Sequence, residues 1–189
     1  MSDTEYMLDA DDHIRSVGGA WRAFAHENGA PELVGAVLGT SIWRWIEGPE
    51  VRHLYEILFS SVRGTGGHVR FPLRCDSPRL RRFMELELAA LSDGGLRFRA
   101  VLHRVEPREP VGLPAGRDDG PGPRLVICSW CNHVRVDVGR WLEIEDALRA
   151  LRLLEAPPHA ITHTICPGCE ARFDRLLDVG VRRRDGGSE

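Results

Sequence analysis

Four of the five cysteines in this 189-residue chain stand in two equally spaced pairs, Cys128-Ser-Trp-Cys131 and Cys166-Pro-Gly-Cys169. A C-x-x-C turn can aim both of its sulfurs at one point. Two such turns supply the four tetrahedral ligands that zinc prefers, at Zn–S distances near about 2.3 Å. Four thiolates leave no open position, so the ion expected on Cys128, Cys131, Cys166 and Cys169 is structural, one per chain. Zinc is preferred to iron because no electron-transfer motif accompanies the site. Inert buried cysteines would have no reason to fall in two pairs around turn residues. His133 and His163 lie near the pairs, but with four thiols at hand they read as packing or hydrogen-bonding residues. Cys75 stands alone between Arg74, which would lower its pKa, and Asp76, which would oppose that.

The rest of the chain offers no second chemistry. Gly64-Thr-Gly-Gly67 reads as a turn, not a phosphate cradle. No serine sits in a nucleophile elbow, and no kinase or cyclase signature is present. Glu143, Glu145 and Asp146 read as acids at a helix N-terminus. Neither C-x-x-C is followed directly by histidine, which excludes covalent c-type haem. The chain is therefore expected not to be an enzyme.

Positioning the cysteine turns requires folded elements on both sides of them. The Pro/Gly-rich stretch 106–124 predicts a linker, dividing the chain into 1–105 and a cysteine module over 125–181, with a frayed tail at 182–189. In the first part, Tyr6–Leu8 and Ile14–Val17 predict two short strands around a polar turn. Ala20 to Glu27 predicts a helix. A longer helix should open at Pro49 and bury Val51, Leu54, Tyr55, Leu58 and Val62, with Gly64 to Gly67 stopping it. His68–Arg74, Phe83–Leu91 and Leu96–Val105 predict three antiparallel strands, the last two joined at Asp93-Gly94-Gly95. The module should carry a helix opening around Trp141-Leu-Glu-Ile-Glu-Asp146, with Ile144, Ala147, Leu148, Leu151 and Leu154 as its apolar stripe. A terminal helix follows, carrying Phe173, Leu176 and Leu177. The fold class expected is α+β: an antiparallel sheet with helices on one face, plus a small zinc-stapled α+β module.

Two resemblances accompany this reading. Tyr6-Met-Leu-Asp-Ala-Asp-Asp-His-Ile14, Val17-Gly-Gly-Ala-Trp21 and Val37-Leu-Gly-Thr-Ser-Ile-Trp43 make residues 5 to 105 resemble PAS sensor domains. Gly18 departs from the asparagine usual in that family, so packing should replace its tie between strand and helix. The second stretch, with Cys-Ser-x-Cys, Trp141 to Glu145 and His163 to Cys169, resembles treble-clef-like cysteine modules attached to some bacterial sensor proteins. The PAS resemblance implies a ligand between the long helix and the sheet. Haem is disfavoured, because at about 100° per residue His53 falls on the wet face with Arg52, Glu56, Ser60 and Arg63. Flavin of the light-sensing kind is disfavoured because Cys75 follows a strand. Trp21, Trp43 and Trp45 are candidates to line an apolar pocket.

Formal net charge is -3, and every basic side chain is arginine. No apolar run reaches the roughly 20 residues of a membrane span, and the acidic N-terminus is unlike a secretory signal. The expectation is a cytoplasmic, non-enzymatic signalling protein. A PAS-like domain would sense a small-molecule ligand or partner, and the zinc module would mediate contact with another protein, homodimerisation included. Two alternatives stand beside it. One is a nucleic-acid-binding regulator using Arg135, Arg140, Arg149, Arg152, Arg172 and Arg175; interleaved acids count against it. The other is a zinc–thiolate redox sensor.

Overall fold

The computed structural model describes residues 3–27, 29–110, 124–153 and 160–185, with backbone alone over 179–185. Two short strands open the chain, β1 (Thr4–Leu8) and β2 (Ile14–Gly19). Helices α1 (Trp21–Glu27) and α2 (Leu33–Ala36) and a 3-10 turn (Ile42–Arg44) follow. Helix α3 (Pro49–Thr65) starts on a proline, whose missing N–H costs nothing in a first turn. It ends where Gly66 takes the left-handed conformation. Strands β3 (His68–Arg74), β4 (Leu80–Ala90) and β5 (Leu96–Pro107) complete an antiparallel sheet in the order β2-β1-β5-β4-β3.

Alternation along β4 decides which face is buried. Met84, Leu86 and Leu88 point to the core, and Glu85 and Glu87 point away. Leu58, Phe59 and Val62 of α3 cover that face, in one cluster with Phe71, Leu96 and Phe98. At Gly18 no neighbour approaches. The chain entering α1 is tied instead to the residue before β1, the Ala20 N–H donating to the Asp3 carbonyl at 2.8 Å. Tyr6 also packs edge-on against Trp21, with centroids 5.9 Å apart.

The second unit is a four-stranded sheet in the order β8-β7-β6-β9, from β6 (Arg124–Cys128), β7 (Val134–Asp137), β8 (Arg140–Leu142) and β9 (Ala160–Thr164). β6 and β9 run parallel, so the chain must cross over between them, and it does so through α4 (Ile144–Ala150). The expected helix around Trp141 is thus split. Arg140–Leu142 pairs as a strand with β7, and the helix begins only at Ile144. Ile144, Ala147 and Leu148 pack on Leu125, Ile127 and Val134 as a small core of their own. Helix α5 (Pro167–Asp185) closes the chain. Of the expected linker, 111–123 lie outside the described residues, as do Leu154 and residues 186–189 of the expected tail.

The linker separates the units in sequence, but the larger core does not respect it. One buried cluster runs from Leu8, Phe59, Phe71 and Phe98 into Cys128, Trp130, Cys166, Cys169 and Phe173. Trp130, from the middle of the first cysteine turn, stacks on Phe71 of β3 with centroids 4.5 Å apart. Tyr55 of α3 meets it edge-on at 6.5 Å, and Phe173 of α5 at 6.0 Å. A buried tryptophan brings a large apolar area into one contact, and these ring geometries are among the favourable ones.

Candidate metal centre

β6 ends on Cys128, and the chain then turns tightly. The Asn132 N–H donates to the Cys128 carbonyl at 2.9 Å, and the Cys128 N–H to the His133 carbonyl at 2.8 Å. Asn132 closes the turn with φ +58°, a left-handed conformation that asparagine tolerates better than most residues. The parallel partner β9 places Thr164 opposite Cys128, so Cys166 arrives two residues beyond the strand pair. Pro167 then opens α5, and Cys169 lies in its first turn, where the helix dipole favours a thiolate.

These elements bring the four sulfurs of Cys128, Cys131, Cys166 and Cys169 within 4.8 Å of one another. Ligands about 2.3 Å from a tetrahedral centre are about 3.8 Å apart. The Cys131 and Cys166 sulfurs stand at 3.6 Å, so the donor set fits a metal ion such as zinc. Three of the cysteines are buried and Cys131 is partly exposed.

Charge makes the same point. Without a cation, hydrogen bonds from the Cys131 and Cys169 thiols lower the Cys128 pKa, with the Cys166 N–H adding its own at 3.3 Å. That hydrogen bonding and charge at Cys128 push Cys131 up to about 12, and Cys169 is driven up in the same way. Four thiolates this close cannot coexist near neutral pH unless a cation sits among them.

The histidines divide. His133 lies beside the cluster, with Nδ1 3.1 Å from the Cys131 sulfur. Its Nε2 is 3.5 Å from Glu143. His163 instead faces Ser129 Oγ at 3.5 Å and Glu47 at 3.8 Å, bridging the knuckle to the loop before α3. There Gly48, at φ +86°, lies so close to β9 that a Cβ would strike the His163 carbonyl oxygen.

Glu143 and Glu145 do more than the helix N-terminus reading gave them. Arg74, buried at the end of β3, pairs with Asp76 at 2.5 Å and with Glu143 at 2.9 Å. Arg81 reaches Glu145 at 3.0 Å, and Arg108 spans Asp76 and Glu145 at 3.4 and 3.6 Å. Only Asp146 stays local, with Arg149. The hydrogen bond from His133, with Arg74 adding its own, holds Glu143 at about 2 against the opposing effect of burial. Burial works against the Arg74 charge, but Asp76 and Glu143 outweigh it. The Arg74 N–H also donates to the Trp130 carbonyl at 2.8 Å, fastening β3 to the knuckle. Neither Trp130 nor this ion network could be read as a joint from sequence, since Trp130 meets Phe71, and Arg74 meets Glu143, across long stretches of chain. The close grouping of Glu143, Glu145 and Asp146 at one helix start was the signal the sequence offered.

The other singled-out residues fall elsewhere. His53 is 71% exposed on α3, beside Glu56 at 3.8 Å. Cys75 lies away from the cluster; burial raises its pKa, Arg82 rather than Arg74 opposes the rise, and Asp76 adds to it. Trp21 and Trp45 line an apolar cavity of 240 Å³ together with Tyr6, Val37 and Ile42. Trp43 packs on Phe59 instead, its indole N–H donating to Asp12 at 2.9 Å. No helix among the described residues is long and apolar enough to cross a membrane. No known family model matches the chain, and no curated protein is significantly similar to it.

Proposed function

We propose that this chain is a non-enzymatic signalling protein in which a PAS-like sheet senses a small ligand or a partner, and a zinc-stapled unit presents the response to another protein. The observation that carries the reading is the joint. Trp130 belongs to a metal knuckle and also fills the core of the first sheet. A change of packing beneath α3 therefore displaces a residue that lies between Cys128 and Cys131 of the cluster.

The element order supports the PAS-like part: two strands, short helices, a long helix, then three strands closing one antiparallel sheet. The 240 Å³ apolar cavity beside Tyr6, Trp21 and Trp45 suits a compact apolar ligand. Cys128, Cys131, Cys166 and Cys169 would hold the zinc. When bound, the ion neutralises the thiolates and contributes about 10 kcal/mol or more to folding the second unit. With all four ligands supplied by cysteine, the ion has a structural role. His133 orients the Cys131 sulfur, and Glu143 with Arg74 holds His133 against the end of β3.

Elemental analysis and an absorption spectrum of the purified protein test this directly. The expected result is about one zinc per chain and no visible band. A metal-free protein that is fully folded beyond residue 124 removes the zinc half of the reading. A haem or flavin spectrum would replace the apolar-ligand half.

A further inference from the structure

We propose that Cys131 is the site at which hydroperoxides modify this protein, and that the product is a disulfide from Cys131 to Cys166, across the two knuckles. The inference rests on the four-thiolate metal reading, and it assigns unequal roles to four formally equivalent sulfurs.

Access separates them. Cys128 is 0%, Cys169 4% and Cys166 7% exposed, whereas Cys131 is only partly buried. Cys131, Cys166 and Cys169 all border a 410 Å³ cleft between the cluster and the β3–β4 strands, with Arg74, Phe83 and His133 also in its walls, and of the three Cys131 is the most exposed. That volume admits a hydroperoxide to the Cys131 sulfur. Cys166, on the facing knuckle, is placed to finish the reaction, with sulfurs 3.6 Å apart. A disulfide needs about 2.05 Å, a closure of about 1.5 Å that side-chain rotation can supply. Gly168 also borders the cleft and puts no side chain over the Cys166 sulfur. Cys128 is enclosed behind the pair, where it accepts the Cys166 N–H at 3.3 Å.

The chemistry balances. The Cys131 thiolate attacks the peroxide, an S–O bond forms, and the O–O bond breaks. The departing oxygen takes a proton from water and leaves as an alcohol or as water. The Cys166 thiolate then attacks the Cys131 sulfur, the S–S bond forms, and hydroxide leaves to be protonated. Two thiolates lose two electrons and the peroxide gains two. The metal loses two of its four ligands and is released. Cys75 takes no part, since it lies outside the cluster and burial raises its pKa.

The test treats the metal-loaded full chain with hydrogen peroxide, blocks free thiols with iodoacetamide and digests with trypsin. Cleavage at arginine places Cys128 and Cys131 together on residues 125–135, and Cys166 and Cys169 together on 153–172. The expected product joins these two peptides, with alkyl groups on Cys128 and Cys169 and about one metal ion released per chain. A link within either peptide, a link through Cys128 or Cys169, or metal release with no link overturns the proposal. A Cys131→His variant keeps four ligands of a kind structural zinc accepts. Its metal release by peroxide should slow at least about tenfold; release at the wild-type rate would place the entry point elsewhere. If that variant does not hold metal, the wild-type link map alone decides. A protein isolated without metal refutes the metal reading, whereas the link map still decides between Cys131–Cys166 and every other pairing.

Discussion

The two units reach a closed core by different means. The first buries Leu58, Phe59, Phe71, Leu88 and Phe98 between one helix and a five-stranded sheet, enough apolar surface to hold an antiparallel sheet. The second has, among the described residues, a separate cluster of six buried residues around Leu125, Ile127 and Ala147, beside four cysteine sulfurs close enough to hold a metal ion. The contrast would suggest one robust unit and one dependent unit. The shared cluster says otherwise: Trp130 and Phe173 complete the core of the first unit, so each unit supplies what the other lacks.

On the proposed metal reading, the sharpest way to break the comparison is to remove the ion. Cys128→Ser with Cys131→Ser, or chelation, should cost about 10 kcal/mol or more and unfold the chain beyond residue 124. Because Trp130 then leaves Phe71, the midpoint for urea unfolding of the first sheet should fall as well; an unchanged midpoint would show that the sheet stands alone. Trp130→Ala leaves every ligand in place yet should destabilise both units by about 4 kcal/mol, read as a common shift in far-UV circular dichroism and metal retention. Arg74→Ala takes from Asp76 and Glu143 their nearest cation and should cost about 3 kcal/mol, with the metal site unchanged. Gly48→Ala forces a left-handed alanine against the His163 carbonyl. About 2 kcal/mol is expected there, visible as faster hydrogen exchange in β9 than in β4. The smallest effect is a pH dependence. The folded pKa of Glu143, about 2, lies below its ordinary value of 4.5. The stability it brings is therefore complete above about pH 4.5 and is lost as pH falls through that window towards 2. Glu143→Gln should be less stable than wild type by about 1 kcal/mol at neutral pH after solvent screening. That gap should close on acidification, measured on the two proteins side by side.

Periodicity and spacing carried most of this fold. The alternation of Met84, Leu86 and Leu88 against Glu85 and Glu87 is local, and so is the stripe on α3; each was readable because period matches burial. The cysteine pairs were readable because metal chemistry imposes its own spacing. What sequence could not supply was everything that depends on two distant segments meeting. The parallel pairing of β6 with β9 is one case, and it turned an expected helix start at Arg140–Leu142 into a strand. Arg74 is another. Beside Cys75 it reads as a modifier of that thiol, yet it turns to Asp76 and Glu143 because a buried guanidinium needs carboxylates around it. Trp130 is the third: inside a C-x-x-C it looks like filler, and only the position of Phe71 makes it structural.

The placement of Trp130 bears on how the molecule is made. A chain synthesised from its N-terminus has all five strands of the first sheet before the knuckle exists, so Phe71 and Tyr55 wait uncovered while the ribosome continues. Their cover arrives with residue 130 and is pinned only once Cys166 and Cys169 emerge. With zinc as the proposed ion, its supply during translation, rather than after it, would then decide how long that greasy face stays open to chaperones and to other nascent chains.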